Sequence, residues 1–296
     1  MLKAPFVSLM ALLCARNVLI LPAHRGIRIY APLLALLSLI IPNRRLHYSV
    51  IGGWLPSFVR NKKILALSLK RFNGIYAETN TMINALEDIG YKNIYVVPNC
   101  KPLNIVNKEQ LLCVPQQPYK LCTFSRVNRE KGIGEAVEVV KEINNKYGQV
   151  IYTLDIYGNV DPTQAEWFKK LEEDFPDYIK YRGCVDFNKS VETIKNYFAL
   201  LFPTHYYTEG IPGTIIDAYA AGVPVISAKW QSYADIIDDG ETGLCYEFDN
   251  TNELKQILIN VSQNPKLITD IKQNCIMKAV DYLPSNAIIK IVKNLL

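Results

Sequence analysis

Residues 204–228 read T-H-Y-Y-T-E-G-I-P-G-T-I-I-D-A-Y-A-A-G-V-P-V-I-S-A, and their types and spacing suit the binding of a phosphate ester. Ile215, Ile216, Tyr219 and Ala220 recur at helical spacing, which predicts a helix from about 213. Pro212 falls in its first turn, where a missing N–H is not needed. The free amides of that turn, with Gly213 admitting close approach, form an anion site. Glu209 stands just before the helix, and Asp217 lies on the order of 7 Å along the axis from Pro212. Two carboxylates so placed can grip hydroxyls at the two ends of a sugar nucleotide. A plain loop carboxylate at 209 and a surface helix residue at 217 fit the spacing equally well.

A second constellation is F-S-R-V-N-R-E-K-G-I-G-E-A-V-E-V-V, residues 124–140. A strand ends, Arg126 and Lys131 project from the following loop, and a helix begins at the glycines. Two cations beside a helix start can neutralise a diphosphate without a metal. Gly132-x-Gly134-x-x-Val137, with Asp155 further on, is a competing and partial dinucleotide fingerprint. It departs from the pattern because valine fills the third glycine position and a charged loop precedes the glycines. No strict D-x-D occurs, and His24, His47 and His205 are scattered, which disfavours metal-dependent chemistry.

The elements that must position these residues alternate. Short β-branched runs at 17–22, 45–50, 74–79 and 93–98 predict strands, with helical patterns between them, including 80–89 capped by Asn80. Asn99, Pro102, Pro115 and Pro118 break the periodicity over 99–118, as a linker would. A second series of strands follows at 120–127, 150–158, 178–183, 199–204, 224–228 and 243–248, again interleaved with helices. This alternation predicts an α/β chain of two Rossmann-like parallel-sheet domains, with helices on both faces of each sheet. The expected boundaries are 1–106, 107–280 and a C-terminal amphipathic helix within 281–296.

A length of 296 residues suits about two domains. With 49% apolar and 21% charged residues, disordered, collagenous and coiled-coil classes are excluded. Seven cysteines without a C-x-x-C pair predict free thiols in a reducing, cytoplasmic setting. No apolar run reaches the ~18 residues of a membrane span. Residues 4–15 resemble a short signal-peptide core but read better as a core helix, and 31–41 is also too short to span. Charge is uneven. Residues 1–104 hold 13 Lys/Arg against Glu78, Glu87 and Asp88, a net +10, so the remainder carries 20 against 25, or −5. A basic half with apolar helices suits an anionic membrane surface, docked peripherally at the inner face, or a phosphate-bearing substrate. Nucleic acid is disfavoured, because no ribonucleoprotein aromatic signature or C2H2 spacing is present.

E-G-I-P-G-T-I-I-D-A-Y-A-A-G-V-P-V-I, together with S-R-V-N-R-E-K-G-I, resembles the retaining glycosyltransferases of family four, with matching sequence over 118–280. H-Y-S-V-I-G-G-W-L-P (47–56) and Y-V-V-P-N (95–99) resemble the capsule and O-antigen members. The resemblance implies the GT-B fold and retaining, metal-independent transfer from a nucleoside diphosphate sugar to a glycan or lipid-linked saccharide, with no cofactor. It implies that Arg126 and Lys131 hold the donor diphosphate and that Glu209 contacts the donor sugar. It sets the amides of Gly210, Ile211, Pro212 and Gly213 around the phosphates, excepting the proline's own. Asp217, standing where the family has Glu, would bind the ribose, with Gly158 and the 183–185 loop, including Val185, near the base. His24, Gly52 and Gly53 are the acceptor-side candidates. The family's first domain ordinarily opens with a strand, a glycine-rich loop and a helix ahead of the strand at 17–22. The N-terminal domain is therefore expected to be shortened, from an internal start in a longer reading frame or in a split or degenerate enzyme. Two rival readings follow: a non-catalytic nucleotide-sugar-binding module and a GT-B sugar-nucleotide epimerase.

Overall fold

A computed structural model describes residues 4–111 and 115–295. The chain divides into two compact α/β units. The first comprises Met1–Asn99, Thr208–Ile211 and Pro284–Leu296, and the second Cys100–Tyr207 and Pro212–Leu283. The boundary expected at 106/107 thus moves to Asn99/Cys100. The Lys101 amide donates to the Tyr282 carbonyl and the Val106 amide to the Ala220 carbonyl, which ties this stretch to the second unit. Residues 112–114 of the expected linker lie outside the described residues.

The first unit runs α1 (Ala4–Cys14), β1 (Asn17–Ile20), α2 (His24–Ile40), β2 (Arg45–Ser49), α3 (Leu55–Arg60), α4 (Lys63–Leu69), β3 (Gly74–Ala77), α5 (Asn80–Glu87) and β4 (Ile94–Val96). Its four strands pair in parallel in the order β1-β2-β3-β4. Right-handed crossovers stepping always the same way put the intervening helices on one face rather than both. There Val18, Leu46, Tyr48 and Ile75 pack with Leu12, Ile27, Leu34 and Leu65. The alternate strand positions are polar: the His47 ring lies 3.3 Å from Asn17 Oδ1 and 3.0 Å from the Tyr76 hydroxyl.

Two local expectations change. The helix at 4–15 forms, but it buries only Ala4, Ser8 and Leu12 and leaves Phe6, Val7 and Met10 exposed, so only one face of it belongs to the core. The cap of α5 is Thr79, whose Oγ1 accepts the Met82 amide at 3.1 Å, and Asn80 is the first helical residue.

The second unit runs β5 (Tyr119–Phe124), α6 (Ile133–Tyr147), β6 (Tyr152–Tyr157), α7 (Ala165–Glu173), β7 (Ile179–Gly183), α8 (Ser190–Ile194), β8 (Ala199–Phe202), α9 (Gly213–Ala220), β9 (Val225–Ala228), β10 (Gly243–Tyr246), α10 (Thr251–Gln263), α11 (Lys266–Thr269) and α12 (Lys272–Ala279). A last helix, α13 (Pro284–Leu295), belongs to the first unit, where Asn17 Nδ2 donates to the Leu295 carbonyl at 2.8 Å. The six strands of the second unit are parallel in the order β10-β9-β8-β5-β6-β7. The chain builds outward from β5 to β7, then returns to lay β8 on the other side of β5, which makes β5/β8 the topological switch point.

Helix α6 carries a valine-rich face, Val137, Val140 and Ile143, against Leu121, Leu154 and Leu201 of the sheet. Gly148, at φ 62°, ends it in the left-handed conformation glycine permits. Buried Asn144 fixes the helix to the next strand: its Oδ1 accepts the Ile151 and Tyr152 amides at 2.9 and 3.0 Å, and its Nδ2 donates to the Tyr152 carbonyl at 2.8 Å. Asn144→Ala strands three buried backbone groups, so urea denaturation should show a loss of about 2–4 kcal/mol.

Candidate functional site

The loops leaving β5 and β8 start side by side at the switch point. After β5, the Val127 amide donates to the Asn159 carbonyl and the Asp161 amide to the Val127 carbonyl, which fixes the backbone around Arg126. The Arg126 side chain is 67% exposed, with one guanidinium nitrogen 3.9 Å from Asp161 Oδ2, so it reaches into solvent. Buried Asn128 caps the turn that follows by accepting the Lys131 amide at 2.9 Å. Lys131 Nζ lies 4.9 Å from the Tyr206 ring and 5.3 Å from the Phe202 ring, at the end of β8. Gly132, at φ 68°, lets the two loops touch: a Cβ there would sit 1.8 Å from the Pro203 carbonyl oxygen. The sequence therefore brings Lys131 to β8 through a glycine only.

Gly158 and the loop after β7 meet beside Arg126. The Gly158 amide donates to the Gly183 carbonyl at 2.8 Å, and a Cβ on Gly158 would collide with the Ser125 carbonyl. Val185 is half-buried two residues beyond. Asp155, the acid of the partial dinucleotide fingerprint, sits within β6 instead of at its end, bonded to Arg182 and to the Tyr197 hydroxyl. It is not placed to take a ribose.

Helix α9 opens directly at Gly213, after Pro212. A Cβ on Gly213 would meet no described atom within 4 Å, so space lies open at the helix start. The Thr214 hydroxyl beside it is buried and has no hydrogen-bond partner among the described residues. Asp217 is neither exposed nor free. It is 4% exposed, with its two oxygens 2.6 and 2.8 Å from Lys101 Nζ. Burial pushes its carboxyl up, and the lysine opposes that shift. Neither Lys101 nor this pairing was legible from the motif, because the partner lies 116 residues away.

Within the first unit, Gly52, Gly53, Glu209, Gly210 and Ile211 converge on a residue the sequence reading overlooked. Glu78, buried at the end of β3, accepts the Gly52 amide at 3.1 Å and the Ile211 amide at 2.8 Å. Cβ atoms on Gly53 and Gly210 would clash with the Thr208 and Glu209 carbonyls and with Glu78 itself. Burial raises the Glu78 carboxyl, the two amides lower it, and the Glu209 charge raises it further. His24 joins this group through Trp54: the rings stack at 3.7 Å, and Trp54 follows the Gly52–Gly53 turn.

His205 was expected only as one of three scattered histidines. Its Nδ1 lies 2.5 Å from Asp249 Oδ1 and its Nε2 3.1 Å from Glu135 Oε1, while its amide donates to the Glu130 carbonyl. It pins the β8 loop to the start of α6. A groove of about 770 Å³ along α6 has His205, Glu135, Arg129 and Trp167 in its wall.

The model of the group 1 glycosyl transferases matches residues 108–276. The chain belongs to that family. Curated relatives include the amylovoran biosynthesis glycosyltransferase AmsK of Erwinia amylovora, 26% identical over 155 residues, which are 50% of this chain and 37% of that protein. Another is the alpha-monoglucosyldiacylglycerol synthase of Acholeplasma laidlawii, 26% identical over 159 residues, or 53% and 38% of the two chains. The matches thus span less than half the length of these relatives. Among solved structures, Anabaena HepE in complex with UDP aligns over 99% of this chain and 81% of its own, with TM-score 0.80 and 16% identity. At that identity the likeness shows the fold: this group 1 glycosyl transferase has the two parallel-sheet α/β domains of GT-B enzymes. The family match covers both loops of the switch point, Arg126 to Lys131 and Glu209 to Asp217.

Burial alone would lower the His205 pKa, but the Asp249 hydrogen bond and the Glu135 charge outweigh it and raise the value above 6.5. The fold therefore favours the imidazolium. Its stabilisation is complete below the unfolded value and fades as pH rises through the raised one. Urea titrations should show this residue's stabilisation present near pH 6 and lost as pH rises toward about 9, and His205→Gln should abolish that slope.

Proposed function

We propose that the chain transfers a glycosyl group from a nucleoside diphosphate sugar to a glycan or lipid-linked saccharide, with retention at the anomeric carbon and without a metal ion. The observation that carries this reading is the switch point itself. Arg126 and Lys131 leave the sheet after β5, and the α9 start follows β8, its immediate neighbour. As the bond between the anomeric carbon and the phosphate oxygen breaks, its electron pair stays on the diphosphate. Two cations and a helix start then stabilise the growing charge, the work a metal does elsewhere.

The unpartnered Thr214 hydroxyl supports a polar ligand at the α9 start. In this reading Glu209 takes hydroxyls of the transferred sugar, Gly210 to Gly213 line the phosphates, and Gly158 with the Val185 loop borders the base. Asp217 is the ribose partner: a carboxylate has about four acceptor directions, and Lys101 with the Ser190 hydroxyl does not use them all. His24, Gly52 and Gly53 form the acceptor side, with Trp54 stacked on His24 as an apolar platform for a sugar ring. The reaction belongs to surface polysaccharide synthesis on the cytoplasmic side of a bacterial membrane.

Product analysis tests this directly. With donor and acceptor together, the nucleoside diphosphate should appear in step with a glycoside of unchanged anomeric configuration, and EDTA should not slow it. Lys131→Ala should lower kcat by at least about 100-fold. A rearranged nucleotide sugar from donor alone would point to an epimerase, and inhibition by EDTA would refute the metal-free mechanism.

A further inference from the structure

Three helices of the first unit carry apolar surface that the core does not use. On α1, Phe6, Val7, Leu9, Met10 and Leu13 are all exposed opposite the buried Ala4, Ser8 and Leu12. No polar residue interrupts that outer face. Helix α1 packs on α2, and α2 on α4. Arg44 Nε donates to the Leu12 carbonyl at 2.5 Å, which ties the turn after α2 to the end of α1. Along α2, Ile29, Leu36, Leu39 and Ile40 are exposed at i, i+7, i+10 and i+11, a single helical stripe. On α4, Ile64 and Leu67 are exposed one turn apart, at 74% and 68%. Scattered surface apolars need no explanation, but stripes on three packed helices do.

The charge carried by these three helices and the turns that join them is of one sign. No Asp or Glu precedes Glu78 in the chain. Arg16, Arg25, Arg28, Lys63 and Lys70 are all exposed, with Arg25 heading the α2 stripe and the two lysines bracketing Ile64 and Leu67. Among the described residues no helix is long and apolar enough to cross a membrane. Apolar side chains on helices that carry only cationic charge match the two layers of an anionic bilayer surface: acyl chains beneath, phosphate headgroups above.

We propose that α1, α2 and α4 dock the chain on an anionic lipid surface, with the outer face of α1 entering the boundary between headgroups and acyl chains. This names the place where a lipid-linked acceptor would be met, and only that consequence rests on the glycosyl-transfer reading. The docking itself follows from the surface. Attachment is reversible and salt-sensitive, since the cationic share is screened at high ionic strength.

Flotation of the full chain with vesicles of equal parts phosphatidylglycerol and phosphatidylcholine, against phosphatidylcholine alone, tests it. The chain should float with the anionic vesicles, and Met10→Glu/Leu13→Glu or Leu36→Glu/Leu39→Glu should weaken this by at least about tenfold. Leu267→Glu, an exposed apolar position in the second unit, should change nothing. Lys63→Gln/Lys70→Gln, which leaves the apolar surface intact, should lower binding to anionic vesicles selectively. Equal flotation of all variants, or no flotation of the parent chain, would overturn the proposal. So would a dimer in light scattering that the glutamate variants dissociate, because the face would then belong to a second copy. Nucleotide-sugar binding by the same variants should be unchanged, so a failure here is separable from a failure of the transfer reading.

Discussion

In the second sheet the strand after β7 does not continue outward but returns to the far side of β5. Parallel neighbours point their carboxyl ends the same way, so the loops after β5 and β8 leave the sheet together and then diverge. The rest of the site depends on that reversal. It sets Arg126 and Lys131 on one loop and the α9 start at the end of the other. Contact between the loops is maintained where Gly132 lies against Pro203 and where the His205 amide meets the Glu130 carbonyl. A side chain at 132 would part them by steric exclusion, and the left-handed backbone there would disfavour it independently.

The first unit relies on a costlier device. Glu78 is a buried carboxylate, and burial disfavours its charged form. Two backbone amides offset part of that cost, and they come from segments of the chain that lie far apart in sequence: Gly52, after β2, and Ile211, within the E-G-I-P motif. Holding both with one side chain fixes the backbone beside Glu209. The glycines at 53 and 210 are required by the same contact, since each lies against a carbonyl or the carboxylate with no room for a Cβ.

The strands were legible because β-branched runs of four to eight residues separated by turn residues allow little else. Pro212, Gly213, Arg126 and Lys131 were legible because chain position relative to a strand end determines what a loop can present. Other features were hidden for physical reasons. Thr79 outcompetes Asn80 as a cap by one residue, a difference of local geometry that composition does not encode. Glu78, Lys101 with Asp217, and the His205 clasp are pairings over long sequence separations, and no local period announces them. The exposed face of α1 was hidden because an apolar helix without polar positions reads as interior; only the fold shows that one edge is covered.

The glycosyl transfer proposed for this chain requires that Arg126 and Lys131 hold a nucleoside diphosphate at the switch point. Calorimetric titration of the intact chain with UDP-, GDP- and ADP-sugars tests it most directly, alongside Arg126→Ala/Lys131→Ala. One of these donors should bind, and the double variant should weaken it by at least about 100-fold, since each charge-assisted contact contributes about 1.5–3 kcal/mol. Equal affinity in the parent and the variant, or no donor binding by the folded chain, would contradict it.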